Sequence, residues 1–118
     1  DQKSIIDLSS ELMDLSSRAR QKKLKPDEIK GGTFTISSLG GIGGTGFSPI
    51  VNPPEVAIMG VSKSDWKQVY DKATGEFHPR FIMPFSLSYD HRVIDGASAA
   101  AFTSRFASAL CDLSYFKN

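Results

Sequence analysis

The stretch PEVAIMGVS, residues 54–62, constrains the fold of this chain more than any other feature. It is mostly apolar at successive positions, which predicts a β-strand buried on both faces. TFTIS, residues 33–37, is made of β-branched and aromatic residues up to its last position and predicts a second strand. A strand buried on both faces needs cover, so the rest of the sequence has to supply helices or further sheet.

Two helical patterns, one near each end of the sequence, are the candidates for that cover. Apolar residues at positions 5, 8, 12, 15 and 19 follow one helix face and predict a helix from about Lys3 to Lys23. Pro26 is expected to end it, because proline disfavours helical geometry in the residue before it. A second amphipathic helix is predicted from Ala99 to Phe116, with apolar residues at 102, 106, 109, 110 and 113.

A β-hairpin is predicted between the buried strand and the last helix. One of its strands lies near Lys67–Tyr70, the other is a long strand near Arg80–Tyr89, and the turn is Asp71–Gly75. Pro79 and Pro84 indicate an edge or a bulge in the long strand, because proline cannot donate to a ladder.

The order of these elements predicts an α/β fold, a two-layer sandwich of a mixed sheet and helices. Residues 1–118 are expected to form one domain with no linker, because a chain of this length can bury a single core. The sequence has no initiator Met and opens almost directly on a helical pattern, so we expect a piece cut from a longer protein.

Composition excludes several classes of function. The net charge of +1 leaves no basic surface of the kind that nucleic acid needs. No apolar run approaches the roughly 18 residues of a membrane span, and the opening stretch DQKSIID has the pattern of neither a signal peptide nor a transit peptide. The single cysteine, Cys111, favours a reducing compartment and is expected to be a small buried hydrophobic residue.

The loop SSLGGIGGTGFSP, residues 37–49, holds five glycines and invites comparison with phosphate-binding loops. A P-loop needs Lys-Ser or Lys-Thr after its last glycine, whereas Phe47 and Ser48 follow Gly46 here. No strong helix follows, so a dinucleotide fingerprint does not fit either. The composition favours a loop with unusual backbone angles or a close approach to another chain.

The segment SYDHRVIDGAS, residues 88–98, concentrates the chemically capable side chains. A metal site is not expected, because His78, His91 and Cys111 form neither a His-x-x-x-His nor a Cys-x-x-Cys motif. A Ser-His-Asp hydrolase is also disfavoured, since no G-x-S-x-G motif is present. Two interpretations stay open. His91 ends a strand while Asp95 only caps the last helix, or His91 is a general base, since histidine ordinarily titrates near pH 6.5 and is neutral in the cytoplasm.

A resemblance bears on this choice. YDHRVIDGA is similar to the His-x-x-x-Asp-Gly active-site motif of the coenzyme A-dependent dihydrolipoamide acyltransferases, the core subunits of 2-oxo acid dehydrogenase complexes. GGTFTISSLGGIGGTGFSPIVNPPEVAIMGVSKS and ARQKKLKPDEIKGGTF resemble the same family, so the likeness covers essentially the whole chain. It is greatest to the acetyltransferases of bacterial pyruvate dehydrogenase complexes. The family implies a fold like that of chloramphenicol acetyltransferase.

The resemblance implies roles for particular residues. His91 would be the general base, and Ser37 of a neighbouring subunit would donate a hydrogen bond to the oxyanion, with Ser38 the residue most easily confused with it. Asp95 would support the active-site loop by pairing with an arginine. Asp90 and Arg92 are taken as loop-shaping or interface charges.

The resemblance also implies substrates and partners. Coenzyme A or acetyl-coenzyme A and a lipoyl group carried on a separate lipoyl domain would be substrates, with no metal involved. Ser38, Gly40 and Asn52 are the candidate coenzyme A-binding residues. The subunit would form a homotrimer within a large symmetric core that also binds the decarboxylase and dihydrolipoamide dehydrogenase components, in the bacterial cytoplasm.

The same likeness places the chain in the C-terminal half of a catalytic domain. The arginine partner of Asp95 and part of the coenzyme A contacts would lie in the preceding half, so the chain alone is expected to be inactive. Two alternatives remain: a non-catalytic assembly piece of the core, and a chloramphenicol-type acetyltransferase acting on a small-molecule hydroxyl.

Overall fold

The computed structural model describes residues 3–116 of the chain. It divides into two compact units. Residues 33–101 form the central unit, and the described residues before and after it, 3–32 and 102–116, form the terminal unit. Within residues 3–116, no helix is both long enough and apolar enough to cross a membrane.

The regular elements follow the predicted order, with a short 3₁₀ helix after each α-helix. They are α1 (Ile5–Arg20), a 3₁₀ turn (Pro26–Ile29), β1 (Thr35–Ser38), β2 (Ala57–Val61), β3 (Asp65–Asp71), β4 (Glu76–Ile82), β5 (Phe85–Tyr89), α2 (Gly96–Cys111) and a second 3₁₀ turn (Leu113–Phe116).

Helix α1 ends three residues before the predicted boundary. It begins after Ser4, whose hydroxyl accepts a hydrogen bond from the Asp7 amide at 3.1 Å. At the other end Lys22 adopts a positive φ of 57°, and the Lys23 amide donates to the Arg18 carbonyl at 2.8 Å. This arrangement is a Schellman ending, which closes the helix before Pro26 is reached.

The central unit is organised by a three-stranded mixed sheet in the order β1–β2–β5. β2 pairs in parallel with β1 and antiparallel with β5. Ala57, Ile58 and Met59 of β2 are buried, with Met59 only 2 % exposed. The predicted strand buried on both faces is therefore confirmed, and it is the centre of the sheet.

The predicted long strand near Arg80–Tyr89 is wrong, because it is two strands in different sheets. β4 pairs only with β3, in a separate two-stranded sheet, whereas β5 pairs with β2. Pro84 lies at the break, and its carbonyl accepts a hydrogen bond from the Ser62 amide at 2.9 Å. The hairpin turn is confirmed: Gly75, at φ 75°, donates to the Asp71 carbonyl at 2.8 Å.

Cys111 is exposed, so the predicted buried role is wrong. It is the last residue of α2, where Thr103, Phe106 and Ala109 are half-buried and mark the inward side. At 100° per residue, Cys111 lies roughly 140° round the helix axis from Phe106. The apolar pattern of this segment correctly predicted a helix, although α2 begins at Gly96 rather than Ala99 and ends at Cys111 rather than Phe116. The cysteine does not share its inward face.

The core is small. Within residues 3–112 the buried positions are confined to the central unit: Ala57, Ile58, Met59, Gly60, Ser62 and Ala99. In the terminal unit, the apolar stripe of α1 is mostly open, because Ile5, Leu8 and Leu12 are exposed and Leu15 is only half-buried. Most of the apolar surface that the sequence pattern marks for burial is therefore open in this chain.

Candidate active site

His91 lies on a tight turn that leaves the end of β5. The Asp90 amide donates to the carbonyl of Val56 at 2.8 Å, which fixes the start of the turn to the residue that precedes β2. The Asp90 carbonyl then accepts hydrogen bonds from the amides of Val93 and Ile94, each at 3.0 Å. His91 projects from this closed turn as an exposed side chain, with its ring centroid 5.7 Å from that of Tyr89.

Asp95 caps helix α2, as the sequence predicted. Its carboxylate accepts a hydrogen bond from the Ser98 amide at 2.7 Å, and its carbonyl accepts one from the Ala99 amide at 3.0 Å. Hydrogen bonds from the backbone and the side chain of Ser98, and after them the nearby His91, hold the pKa of the Asp95 carboxyl below its ordinary value. Asp95 is therefore a carboxylate at neutral pH, bonded to the helix start and close enough to His91 to interact electrostatically.

Asp90 and Arg92 form an ion pair on either side of His91, where the sequence indicated only general loop charges. Arg92 Nη2 lies 2.6 Å from Asp90 Oδ2, and Arg92 Nε lies 2.9 Å from Oδ1. This guanidinium lowers the pKa of the Asp90 carboxyl to about 2. The Asp-x-Arg spacing, taken together with a strand end, is the sequence signal that could have indicated the pair.

Ser37, Ser38 and Gly40 lie together at the other end of the sheet. Ser37 and Ser38 are the last two residues of β1, and the Ser38 hydroxyl accepts a hydrogen bond from the Gly40 amide at 3.3 Å. Ser37 is half-buried and Ser38 is exposed, in keeping with their opposite faces. Two of the three candidate coenzyme A-binding residues therefore neighbour Ser37 rather than His91.

The strand register separates Ser37 from His91 within one chain. Ser37 pairs with Gly60, which pairs with Ser86, three residues before the end of β5. Strands lie about 4.8 Å apart and rise about 3.4 Å per residue, so the Cα atoms of Ser37 and Tyr89 are about 14 Å apart, and His91 lies on the turn that follows Tyr89. One copy of the chain does not bring these two side chains together.

The third candidate binding residue, Asn52, lies at the His91 end of the sheet. Its carbonyl accepts a hydrogen bond from the Glu55 amide at 3.1 Å, closing a turn that contains the cis Pro53–Pro54 bond. A cleft of about 570 Å³ opens between this turn and the end of β5, and Tyr89, Asp90 and Arg92 line its far side. The cleft is an open space beside the turn that carries His91.

The glycine-rich loop takes the unusual backbone angles that its composition predicted. Gly43 and Gly44 have φ values of 141° and 88°, where a side chain would be strained. The loop returns to the sheet at Phe47, whose carbonyl accepts a hydrogen bond from the Ser86 hydroxyl. The Phe47 ring lies over Gly60, which has no side chain to block it.

Replacing Gly60 with alanine is expected to destabilise the protein by about 1–3 kcal/mol, as overpacked cores do. A Cβ atom at Gly60 would lie 2.8 Å from Phe47 Cζ and 2.9 Å from Ser86 Oγ, so both side chains would have to shift. Urea denaturation measures the change. Gly41→Ala is the matched control, because a Cβ there meets nothing within 4 Å. Equal stability of the two variants would contradict this packing.

The described residues contain no group of three or more His, Cys, Asp or Glu side chains able to hold a metal ion. The polar groups around the turn that carries His91 include two carboxylates, one guanidinium and a phenol, from Asp90, Asp95, Arg92 and Tyr89. This set can support proton transfer by an exposed imidazole.

A mixed sheet with helices and a histidine presented beside a helix-capping aspartate defines an α/β protein with a candidate general base. The chain matches the family model described as "2-oxoacid dehydrogenases acyltransferase (catalytic domain)" over residues 1–115, and it belongs to that family. The resemblance stated from the motifs is thereby confirmed.

Individual sequence relatives belong to the same family of acyltransferases. The chain is 57 % identical over 113 residues to the dihydrolipoyllysine-residue acetyltransferase component of the pyruvate dehydrogenase complex of Pseudomonas aeruginosa. It is 60 % identical over 111 residues to the component of the same name from Haemophilus influenzae. These matches cover 96 % and 94 % of this chain but 20 % and 19 % of the relatives. The chain thus spans about a fifth of the length of these curated relatives.

Solved structures give the same result for the fold. A structure of the Azotobacter vinelandii dihydrolipoamide acetyltransferase, investigated for the roles of a serine, a histidine and an asparagine in its catalytic mechanism, superposes with a TM-score of 0.93 at 55 % identity. The cubic core of a pyruvate dehydrogenase multienzyme complex superposes with a TM-score of 0.93 at 54 % identity. Each match covers 98 % of this chain and 47 % of the other. The predicted α/β sandwich class is confirmed.

Proposed function

We propose that this chain is the C-terminal half of an acyltransferase catalytic domain, called the complete domain below. The complete domain transfers an acetyl group between coenzyme A and the dihydrolipoyl group of a lipoyl domain. The names of the relatives supply the acyl group and the acceptor. The observation that carries the proposal is the exposed His91 on a turn closed by backbone hydrogen bonds, beside the ionised Asp95.

His91 is the general base in this proposal. Its neutral imidazole takes the proton from the thiol of dihydrolipoamide, or from that of coenzyme A in the reverse direction. The thiolate attacks the thioester carbonyl carbon, a new C–S bond forms, and the carbonyl oxygen becomes an oxyanion. When the intermediate collapses, the original C–S bond breaks and the departing thiolate takes the proton back from the imidazolium.

Ser37 donates the hydrogen bond that stabilises the oxyanion, and it comes from a neighbouring copy. The separation of Ser37 from His91 along the sheet supports this arrangement, since a site that uses both needs two chains. One oxyanion donor contributes roughly 10²–10³ in rate. In the Azotobacter protein, the histidine and the asparagine that were investigated for roles in the catalytic mechanism are four residues apart. Asp95 follows His91 at the same spacing in this chain.

Substrates and partners complete the proposal. Coenzyme A binds near Asn52 of the copy that supplies His91 and near Ser38 and Gly40 of the copy that supplies Ser37, with other contacts from the half of the domain that precedes this chain. The solved neighbour that forms a cubic core supports assembly of trimers into a large symmetric particle. That particle acts with lipoyl domains and with the decarboxylase and dihydrolipoamide dehydrogenase components in the bacterial cytoplasm.

An acceptor comparison tests the proposed function. We expect the complete domain, given acetyl-coenzyme A, to acetylate dihydrolipoamide at least about a hundredfold faster than chloramphenicol, because a site discriminates by transition-state contacts. Release of coenzyme A measures both rates. The 118-residue chain alone is expected to show neither reaction.

Two results would replace the proposal with an alternative. Faster acetylation of chloramphenicol would indicate a small-molecule acetyltransferase. Assembly of the complete domain into a large particle by light scattering, without transfer to either acceptor, would indicate a non-catalytic assembly piece.

A further inference from the structure

We propose that Asp90 and Arg92 are a positioning pair for His91, holding the turn on which the imidazole is presented. The inference rests on the proposed function, because it assigns the pair a role in the step that His91 performs. Neither residue touches the substrate in this proposal. They act on the base that lies between them in the sequence.

One carboxylate closes the turn around His91 from both the backbone and the side chain of Arg92. Asp90 Oδ1 accepts the Arg92 amide at 3.0 Å and Arg92 Nε at 2.9 Å. Asp90 Oδ2 accepts Nε at 3.1 Å and Nη2 at 2.6 Å. Because both neighbours of His91 are joined by four hydrogen bonds, the backbone angles of His91 have little freedom.

Asp90 is the fixed member of the pair. Its amide and carbonyl are bonded to Val56, Val93 and Ile94, and its side chain is 22 % exposed. The Arg92 side chain is 89 % exposed and closes the carboxylate from the solvent side. Exposed ion pairs add little to global stability. The ion pair between Asp90 and Arg92 instead fixes the orientation of the segment that it spans.

The pair also sets the charge around His91. Asp90 and Arg92 neutralise each other, so the other groups around the turn are the Asp95 carboxylate, which interacts electrostatically with His91, the Tyr89 ring, and Glu55, which lines the same cleft as the pair. The carboxyl of Asp90, with its pKa lowered to about 2, stays ionised throughout the working range of the base. Removing one member therefore exposes His91 to the charge of the other.

The test compares variants in the complete domain with dihydrolipoamide and acetyl-coenzyme A. Asp90→Ala is expected to lower kcat by about tenfold to a hundredfold, as misplacing a base by about 1 Å does, with KM changed by less than about threefold. Arg92→Ala is expected to lower kcat less, because the hydrogen bond from the backbone amide of residue 92 to the Asp90 carboxylate remains. Arg92→Lys should recover part of that loss.

The pH profile of kcat/KM separates positioning from mere stability. Asp90→Asn leaves an unpaired guanidinium that disfavours imidazolium, so the acid limb should move to lower pH by about 0.5 unit. Arg92→Ala leaves an unpaired carboxylate that favours imidazolium, so the limb should move to higher pH. A purely structural role would not move the two limbs in opposite directions.

Asp14→Ala is the matched control, since it removes another exposed Asp–Arg pair, with Arg18 on α1. Loss of activity no greater in Asp90→Ala than in this control, or acid limbs that move in the same direction, would overturn the inference. If Asp90→Ala does not fold, Arg92→Ala and Arg92→Lys decide it. His91→Ala in the same assay separates the two proposals: full activity there would refute the proposed function itself.

Discussion

His91→Ala in the complete domain is expected to lower kcat several hundred-fold or more, within the range of about 10²–10⁴ that a general base contributes. Alanine removes the only group on this turn that can take a thiol proton at neutral pH. The exposed side chain of His91 makes no packing contribution to the core, so light scattering should show the same assembly as the unsubstituted protein.

His78→Ala is the matched control. His78, the other histidine of the sequence, is half-buried on β4 in the separate two-stranded sheet. Its Nε2 lies 3.4 Å from the Thr74 hydroxyl. Its removal is expected to leave kcat within about threefold. A similar loss in both variants, or a His91→Ala enzyme with normal turnover, would remove His91 from the mechanism.

Ser37→Ala is expected to lower kcat by about 10²–10³, which corresponds to about 3–4 kcal/mol of transition-state stabilisation. KM should change little, because the oxyanion exists only after attack on the thioester. Single-turnover transfer from acetyl-coenzyme A measures the chemical step directly. A larger loss in Ser38→Ala than in Ser37→Ala would move the donor by one residue.

Mixed particles test whether the two residues come from different copies. When His91→Ala and Ser37→Ala chains are co-expressed, about one quarter of the interfaces should join an intact His91 to an intact Ser37. Activity should therefore return to about a quarter of the normal value, far above either variant alone. Activity that stays at the level of the single variants would place both residues in one chain.

Local patterns predicted the central features of the fold. The unbroken apolar run identified β2 as the buried centre of the sheet, and the position of Asp95 before a run of small residues identified it as the cap of α2. Both inferences depend on short-range physics, namely burial of adjacent residues and hydrogen bonds within one helical turn. Such features can be predicted from a few neighbouring residues.

Features that depend on distant partners were not predicted. The segment from Arg80 to Tyr89 has the pattern of one strand, and only its pairing with β3 on one side and β2 on the other divides it at Pro84. The inward face of α2, which excludes Cys111, is likewise set by packing rather than by composition. The end of α1 was missed because Lys22, a residue that rarely takes positive φ, closes the Schellman motif.

In the candidate site, too, some features could be predicted from local sequence and others depend on distant residues. His91 was identified as a possible base from its residue type, but the residues alone slightly favoured a plain strand end until the family likeness was considered. The ion pair between Asp90 and Arg92 needs the geometry of the turn, which places the guanidinium back on a carboxylate two residues earlier. The distance between Ser37 and His91 requires the strand register, which no local pattern contains.

The small core in the central unit links folding to association. A chain with so few buried side chains gains much of its stability from surfaces that cover it, which in our proposal are the preceding half of the domain and neighbouring copies, and a copy bound in an assembly is stabilised by mass action. In the proposed core particle, the midpoint of thermal unfolding would rise with protein concentration. Substitutions on the contact surfaces, far from His91, would then behave as folding defects, lowering the amount of protein in the cell before they altered its chemistry.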